Sequence, residues 1–173
     1  MYLVIMKMMM NLTMMKKTPT STTMMIDINN SKNIMGFENL RKFPNLIHLV
    51  TTRHGGVRTG AADASFNCSP FNGDNIEDVN ENQRKLRKIT GIEHLIIPHQ
   101  IHGTSIKIID KACTTKDLEG VDALVTFRKD FCLCISTADC VPVFMYDPVC
   151  KVIAMAHAGW RGTVANIVIK TID

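Results

Sequence analysis

No two of the six cysteines stand in a C-x-x-C pair, which removes both the zinc ribbon and the thioredoxin-type redox motif. They are also too few and too scattered for the dense disulfide framework of a small secreted domain, so reduced thiols in a cytoplasmic setting are expected. Aromatic residues are scarce at 6%, and no basic block interleaved with aromatics accompanies the mild formal charge of +4. Nucleic acid is therefore not an expected partner. The basic cluster from Arg84 to Lys88 has its own explanation at a helix C-terminus, given below. No apolar run reaches the length of a membrane span. The N-terminal MYLVIMKMMMNLTMMKK is apolar and methionine-rich, but Lys7 interrupts it. It lacks a basic region in front and a small-residue cleavage site behind, so a signal peptide is not expected.

What remains is an ordinary globular composition, 46% hydrophobic and 21% charged over 173 residues, enough for one domain and not comfortably two. The polar TPTSTTMMIDINNSKN follows the methionine-rich start. Residues 1–34 are accordingly expected to be a disordered or spurious extension, with translation starting at Met24, Met25 or Met35. Residues 35–173 are expected to form a single domain.

Strands dominate that domain. IHLVTT (47–52), HLIIP (94–98), TSIKIID (104–110), 121–127, 131–136, 141–146 and the run ending at His157 are short, apolar and partly β-branched. Asn75 is placed to cap a helix to about Thr90, with acids in its first turns, Arg84 to Lys88 in its last and Gly91 as the stop. Between Arg53-His54-Gly55-Gly56 and Asp74 the chain is rich in turn residues and reads as a long loop. Residues 111–120 form a polar connection, and a second helix starts near Thr163 with apolar Val164, Ile167 and Val168. Short turns between successive strands favour antiparallel or mixed pairing over a doubly wound sheet. The expected class is α+β, with mixed, mainly antiparallel sheets and helices packed outside.

The stretch KVIAMAHAGWRGT (151–163) joins a strand, a histidine, a glycine-bearing loop and a helix start. Backbone N–H groups there can face an anion, and Arg161 adds a fork suited to phosphate. A tight turn whose histidine and arginine satisfy only local bonds fits equally well. Three groups with ligand or nucleophile chemistry stand at strand ends: His102, Cys140 and His157. Two imidazoles and a thiolate suit a three-ligand zinc site with an open fourth position. They also suit a cysteine nucleophile with a histidine base, and a buried inert thiol is the ordinary state of a lone cysteine. Cys132 and Cys134 share one strand face and read as core; Cys68, Cys113 and Cys150 lie in turns. His48 and His94 read as structural and His54 as an exposed turn histidine. His99, three residues before His102, is placed behind it.

TTRHGGV, FNCSPFNGD, HQIHG, GVDALVT, TADCVPV and HAGWRGT occur in this order between Val50 and Thr171. Together they resemble the bacterial family of laccase-domain polyphenol oxidoreductases, regarded as purine nucleoside phosphorylases and including a peptidoglycan editing factor. The resemblance implies that His102, Cys140 and His157 form a metal-binding catalytic site, with zinc ahead of copper. It implies phosphorolysis of adenosine, inosine or guanosine to base and ribose 1-phosphate, with methylthioadenosine cleavage and adenosine deamination as further activities. Arg161 is the expected phosphate contact and Arg53 a second clamp. A cysteine hydrolase editing cell-wall precursors and an inactive metal-binding fragment are the rival readings. Arg58 departs from the serine or similar small residue usual after R-x-G-G-x. Family members continue with further strands, so the chain is expected to be truncated at its C-terminus.

Overall fold

The structure is a computed structural model that describes residues 2–9, 34–58 and 65–173. In chain order the strands are β1 (Tyr2–Met8), β2 (Ile34–Met35), β3 (Leu46–Thr51), β4 (His94–Ile96), β5 (Ile106–Ile108), β6 (Ala123–Thr126), β7 (Phe131–Thr137), β8 (Val141–Asp147) and β9 (Val152–Ala158). The α-helices are α1 (Glu38–Arg41), α2 (Ile76–Thr90), α3 (Trp160–Val164) and α4 (Ile167–Ile172). A five-stranded sheet runs in the order β2-β3-β1-β7-β4 and a four-stranded one in the order β5-β6-β9-β8. The β4–β7 and β5–β6 pairs are parallel and the other pairs antiparallel. The class is thus α+β with mixed, mainly antiparallel sheets.

The two sheets face each other across one core. Val4 and Met6 of β1 and Leu133 and Ile135 of β7 meet Leu124 of β6 and Ile153 and Met155 of β9. Strand alternation sends the neighbouring residues the other way. Leu3, Ile5, Cys132 and Cys134 pack under Leu86 of α2, while Ala156 and Ala158 pack under Ile167 of α4. Helix, sheet, sheet and helix therefore stack as layers, with the strands β1, β7 and β9 buried on both faces.

The reading of residues 1–34 as a disordered or spurious extension is corrected over Tyr2–Met8. This segment is the middle strand of the larger sheet, with Val4 opposite both Val50 and Ile135. Leu3, Val4, Ile5 and Met6 are no more than 2% exposed. A strand buried on both faces has no polar alternation to announce it, and flexible methionines fill such positions well. Truncating one of these side chains to alanine costs about 2–5 kcal/mol. Ile34, in β2, is buried as well, 3% exposed; Met1 and residues 10–33 of the expected extension lie outside the described residues.

Helix α2 behaves as expected. Asn75 Oδ1 accepts from the N–H groups of Glu77 and Asp78 at 2.8 and 3.3 Å, and Gly91 takes the left-handed conformation at φ 64°. The last helix differs: Asn166 at φ 63° divides it into α3 and α4. Within 111–120 a single 3₁₀ turn, Thr115–Leu118, buries Leu118. The described part of the long loop is docked on α2 by amides. Asn82 Nδ2 donates to Asn67 O at 2.8 Å and Gln83 Nε2 to Cys68 O at 2.8 Å. Arg58 bonds Asp78 at 2.6 Å, tying the glycine pair to the start of α2. No helix among the described residues is long and apolar enough to cross a membrane.

Candidate metal centre

His157 sits near the end of β9, opposite Pro142 of β8. Its ring is almost fully buried, 3% exposed. A buried imidazole needs a polar partner, and Asp122, just before β6, supplies it: His157 Nδ1–H donates to Asp122 Oδ1 at 2.9 Å. That bond fixes the tautomer and leaves Nε2 with its lone pair, the form a metal ligand requires.

Asp122 is itself wholly buried, and it organises the loop that carries His102. The N–H groups of Ile101, His102 and Gly103 donate to its two carboxylate oxygens at 3.2, 2.9 and 2.8 Å. Three successive N–H groups around one anion form a nest. His102 is held there at φ 64°, in the left-handed region that a non-glycine residue avoids. Burial pushes the Asp122 carboxyl up. The bonds from His157 and from the Gly103 and Ile101 N–H groups outweigh this and leave it below the ordinary carboxylate range. One buried anion thus aligns two histidines from separate parts of the chain.

Cys140 closes the turn between β7 and β8, where Thr137 Oγ1 donates to the Cys140 carbonyl. The donor atoms of His102, Cys140 and His157 all lie within 4.8 Å of one another. The two imidazoles meet edge to face at 4.7 Å. Gly159 makes room for them: a Cβ there would stand 2.9 Å from His102 Cδ2 and 3.1 Å from Cys140 Sγ. Two imidazole nitrogens and a sulfur, converging on one point with a mouth on one side, fit a first-row cation with an open coordination position.

That mouth opens into a cavity of about 310 Å³, lined by the trio together with Phe71, His99 and Ser136 among others. The volume is at the small end for a ligand site and suits one compact molecule. Arg161 and Arg53 are exposed and neither lines this cavity. The Arg161 guanidinium lies 5.3 Å from the ring of Trp160. His48 is buried on β3 with Nε2 bonded to Phe37 O at 2.9 Å, as a structural histidine. Cys132 and Cys134 are fully buried, and all six cysteines are free thiols.

Asp122 escaped the sequence reading although GVDALVT contains it. The signal was there: a carboxylate opening an apolar strand is costly to bury unless it is paired. Gln100 was missed too. Its amide bonds Ser136 N and O at 2.7 and 2.9 Å, extending the β7 edge and tying the His102 loop to it.

The family profile described as multi-copper polyphenol oxidoreductase laccase matches residues 47–173. The chain belongs to that family. Among the curated members of like sequence, the purine nucleoside phosphorylase of Bacteroides thetaiotaomicron is 47% identical over 157 residues, 86% of this chain and 58% of that one. Adenosine deaminase RL5, from an unknown prokaryotic organism, is 33% identical over 130 residues, 70% of this chain and 50% of its own. A solved structure, hypothetical protein YfiH of Bacillus licheniformis, superposes with a TM-score of 0.70 at 27% identity, covering 83% of this chain and 56% of that one. The chain therefore spans about half the length of these relatives. The family description speaks of several coppers, yet among the described residues a single group of three ligands converges.

Proposed function

We propose that this chain carries the metal site of a purine nucleoside phosphorylase, cleaving adenosine, inosine or guanosine with phosphate to the free base and ribose 1-phosphate. Methylthioadenosine cleavage and adenosine deamination belong to the same reading. The observation that carries it is the convergence of His102, Cys140 and His157 within 4.8 Å at the floor of a ligand-sized cavity. The printed names of the relatives, purine nucleoside phosphorylase and adenosine deaminase, support it.

His102, Cys140 and His157 would hold the metal; two imidazoles and a thiolate suit zinc or copper, and zinc is the metal proposed because the family resemblance implies it. When bound, zinc supplies a Lewis-acid centre beside the ligand. The chain's own groups do the positioning. Asp122 keeps the His157 proton on Nδ1 and the His102 loop in its left-handed turn, so neither ligand must reorganise as substrate enters. Cys140 carries no proton when it ligates. Phosphate must meet the ribose carbon in line. Arg161, two residues past Gly159, and Arg53 are the cations proposed for it, although both stand outside the cavity that the trio lines.

The test is phosphate-dependent release of hypoxanthine from inosine, with metal analysis of the same sample. The reading expects turnover and about one zinc per chain. Bound zinc without turnover of any nucleoside would leave a metal-binding segment only.

A further inference from the structure

His99 lines the cavity alongside the three ligands, but it is no member of their group. An exposed histidine on a loop ordinarily turns freely, whereas this one is held by separate partners. Its Nδ1 bonds Glu119 Oε1 at 2.5 Å. Its ring stacks on Phe71 with centroids 4.7 Å apart and planes 21° from parallel. Its backbone N–H donates to Leu118 O at 3.0 Å and its carbonyl accepts from Gly120 N at 2.9 Å. Even so, 36% of the side chain stays open. With Nδ1–H committed to a carboxylate, Nε2 carries the lone pair, and it has no hydrogen bond among the described residues. An acceptor locked in direction on the lining of a ligand-sized cavity is what a donor on the polar edge of a flat heterocycle would satisfy.

We propose that His99 forms the base-recognition edge of this cavity, its Nε2 accepting from a ring N–H or amino group. Glu119 and Phe71 are the groups that position His99. The inference rests on the purine nucleoside reading and specifies it: the ligand's six-membered ring must present a donor, N1–H in inosine or the amino group in adenosine. A fixed acceptor discriminates against ligands that lack the matching donor, because its hydrogen bond is then lost.

The experiment compares inosine with 1-methylinosine, whose N1 carries no hydrogen, by calorimetric binding to the zinc-loaded protein without phosphate. Wild type should bind inosine about tenfold more tightly, the worth of one such hydrogen bond. His99→Asn keeps an amide near Glu119 but withdraws the acceptor. It should bring the ratio close to one while metal content stays at the wild-type level. His99→Gln, whose amide oxygen reaches the Nε2 position, should restore most of the preference. Wild-type preference that survives His99→Asn unchanged overturns this assignment and leaves the functional reading intact. Wild-type protein that binds neither nucleoside overturns both.

Discussion

Two carboxylate–histidine pairs stand within one stretch of chain and do opposite work. Asp122–His157 is sealed, with side chains 0% and 4% exposed and a 2.9 Å contact. Glu119–His99 is open, 60% and 36% exposed, with a 2.5 Å contact. The shorter contact is the weaker support for the fold, because water and salt screen an exposed pair while a buried one has no substitute partner. In Asp122 the carboxylate also answers three backbone N–H groups. Removing it strands a loop as well as a ring.

Breaking the sealed pair should therefore give the largest effect. Asp122→Ala leaves the His157 ring and three N–H groups without their acceptor, at a cost of about 3–5 kcal/mol. That is a large share of a typical domain's stability. A drop of this size in the urea midpoint, or loss of soluble protein, is the expected outcome. A midpoint at the wild-type value would reduce Asp122 to a bystander.

Asp122→Asn sharpens the comparison by keeping the shape and changing the proton. An amide can still accept from the loop, but its NH₂ group facing His157 favours the tautomer with hydrogen on Nε2, which cannot ligate. Metal affinity should fall about 10–100-fold, as for other orienting partners of metal-bound histidines, with far less change in the urea midpoint. Competition against a chelator measures it. Gly159→Ala attacks the same centre by volume, since its Cβ would meet His102 Cδ2 at 2.9 Å and Cys140 Sγ at 3.1 Å. Exposed His102 can yield, so affinity for the metal should drop by about tenfold with little change in the unfolding midpoint.

The sealed pair also predicts an acid response. Although burial pushes the Asp122 carboxyl up, its bonds from His157, Gly103 N–H and Ile101 N–H hold it below its ordinary value. A carboxyl depressed in the folded state stabilises the fold above its unfolded value, about 3.9. That contribution is lost as pH falls through the lower folded value. Metal-free wild type should lose stability on acidification below about pH 4, and Asp122→Asn should make that limb shallower in pH-dependent urea melts.

How much of this was legible in the sequence follows from the range of the interactions. Helix α2 was readable because its cap, charges and stop lie within one contiguous stretch, Asn75 to Gly91. Strands β7, β8 and β9 were readable as apolar runs between turns. Strand β1 was not: its partners Val50 and Ile135 lie far along the chain, and nothing local distinguishes a doubly buried strand from a methionine-rich leader. The ligand trio could be suspected from its place at strand ends, yet its convergence depends on the β6–β9 and β8–β9 registers. That Asp122 needs partners could be read from GVDALVT, but which ones could not, since they are 19 to 35 residues away.

The exposed pair offers the smallest expected effect and the cleanest contrast. Glu119→Gln removes the charge and keeps a hydrogen-bond acceptor near His99 Nδ1, so the ring retains its contact with Phe71 and its backbone bonds. Exposed pairs of this kind contribute about 0–1 kcal/mol. The urea midpoint of Glu119→Gln should accordingly stay close to wild type, and what difference there is should shrink in 1 M salt, where the screening length is about 3 Å. If Glu119→Gln instead unfolds the protein as readily as Asp122→Ala, burial is not what separates the two pairs. The Glu119–His99 contact would then have to be counted as part of the core that supports the metal centre, not as a group turned outward to meet a ligand.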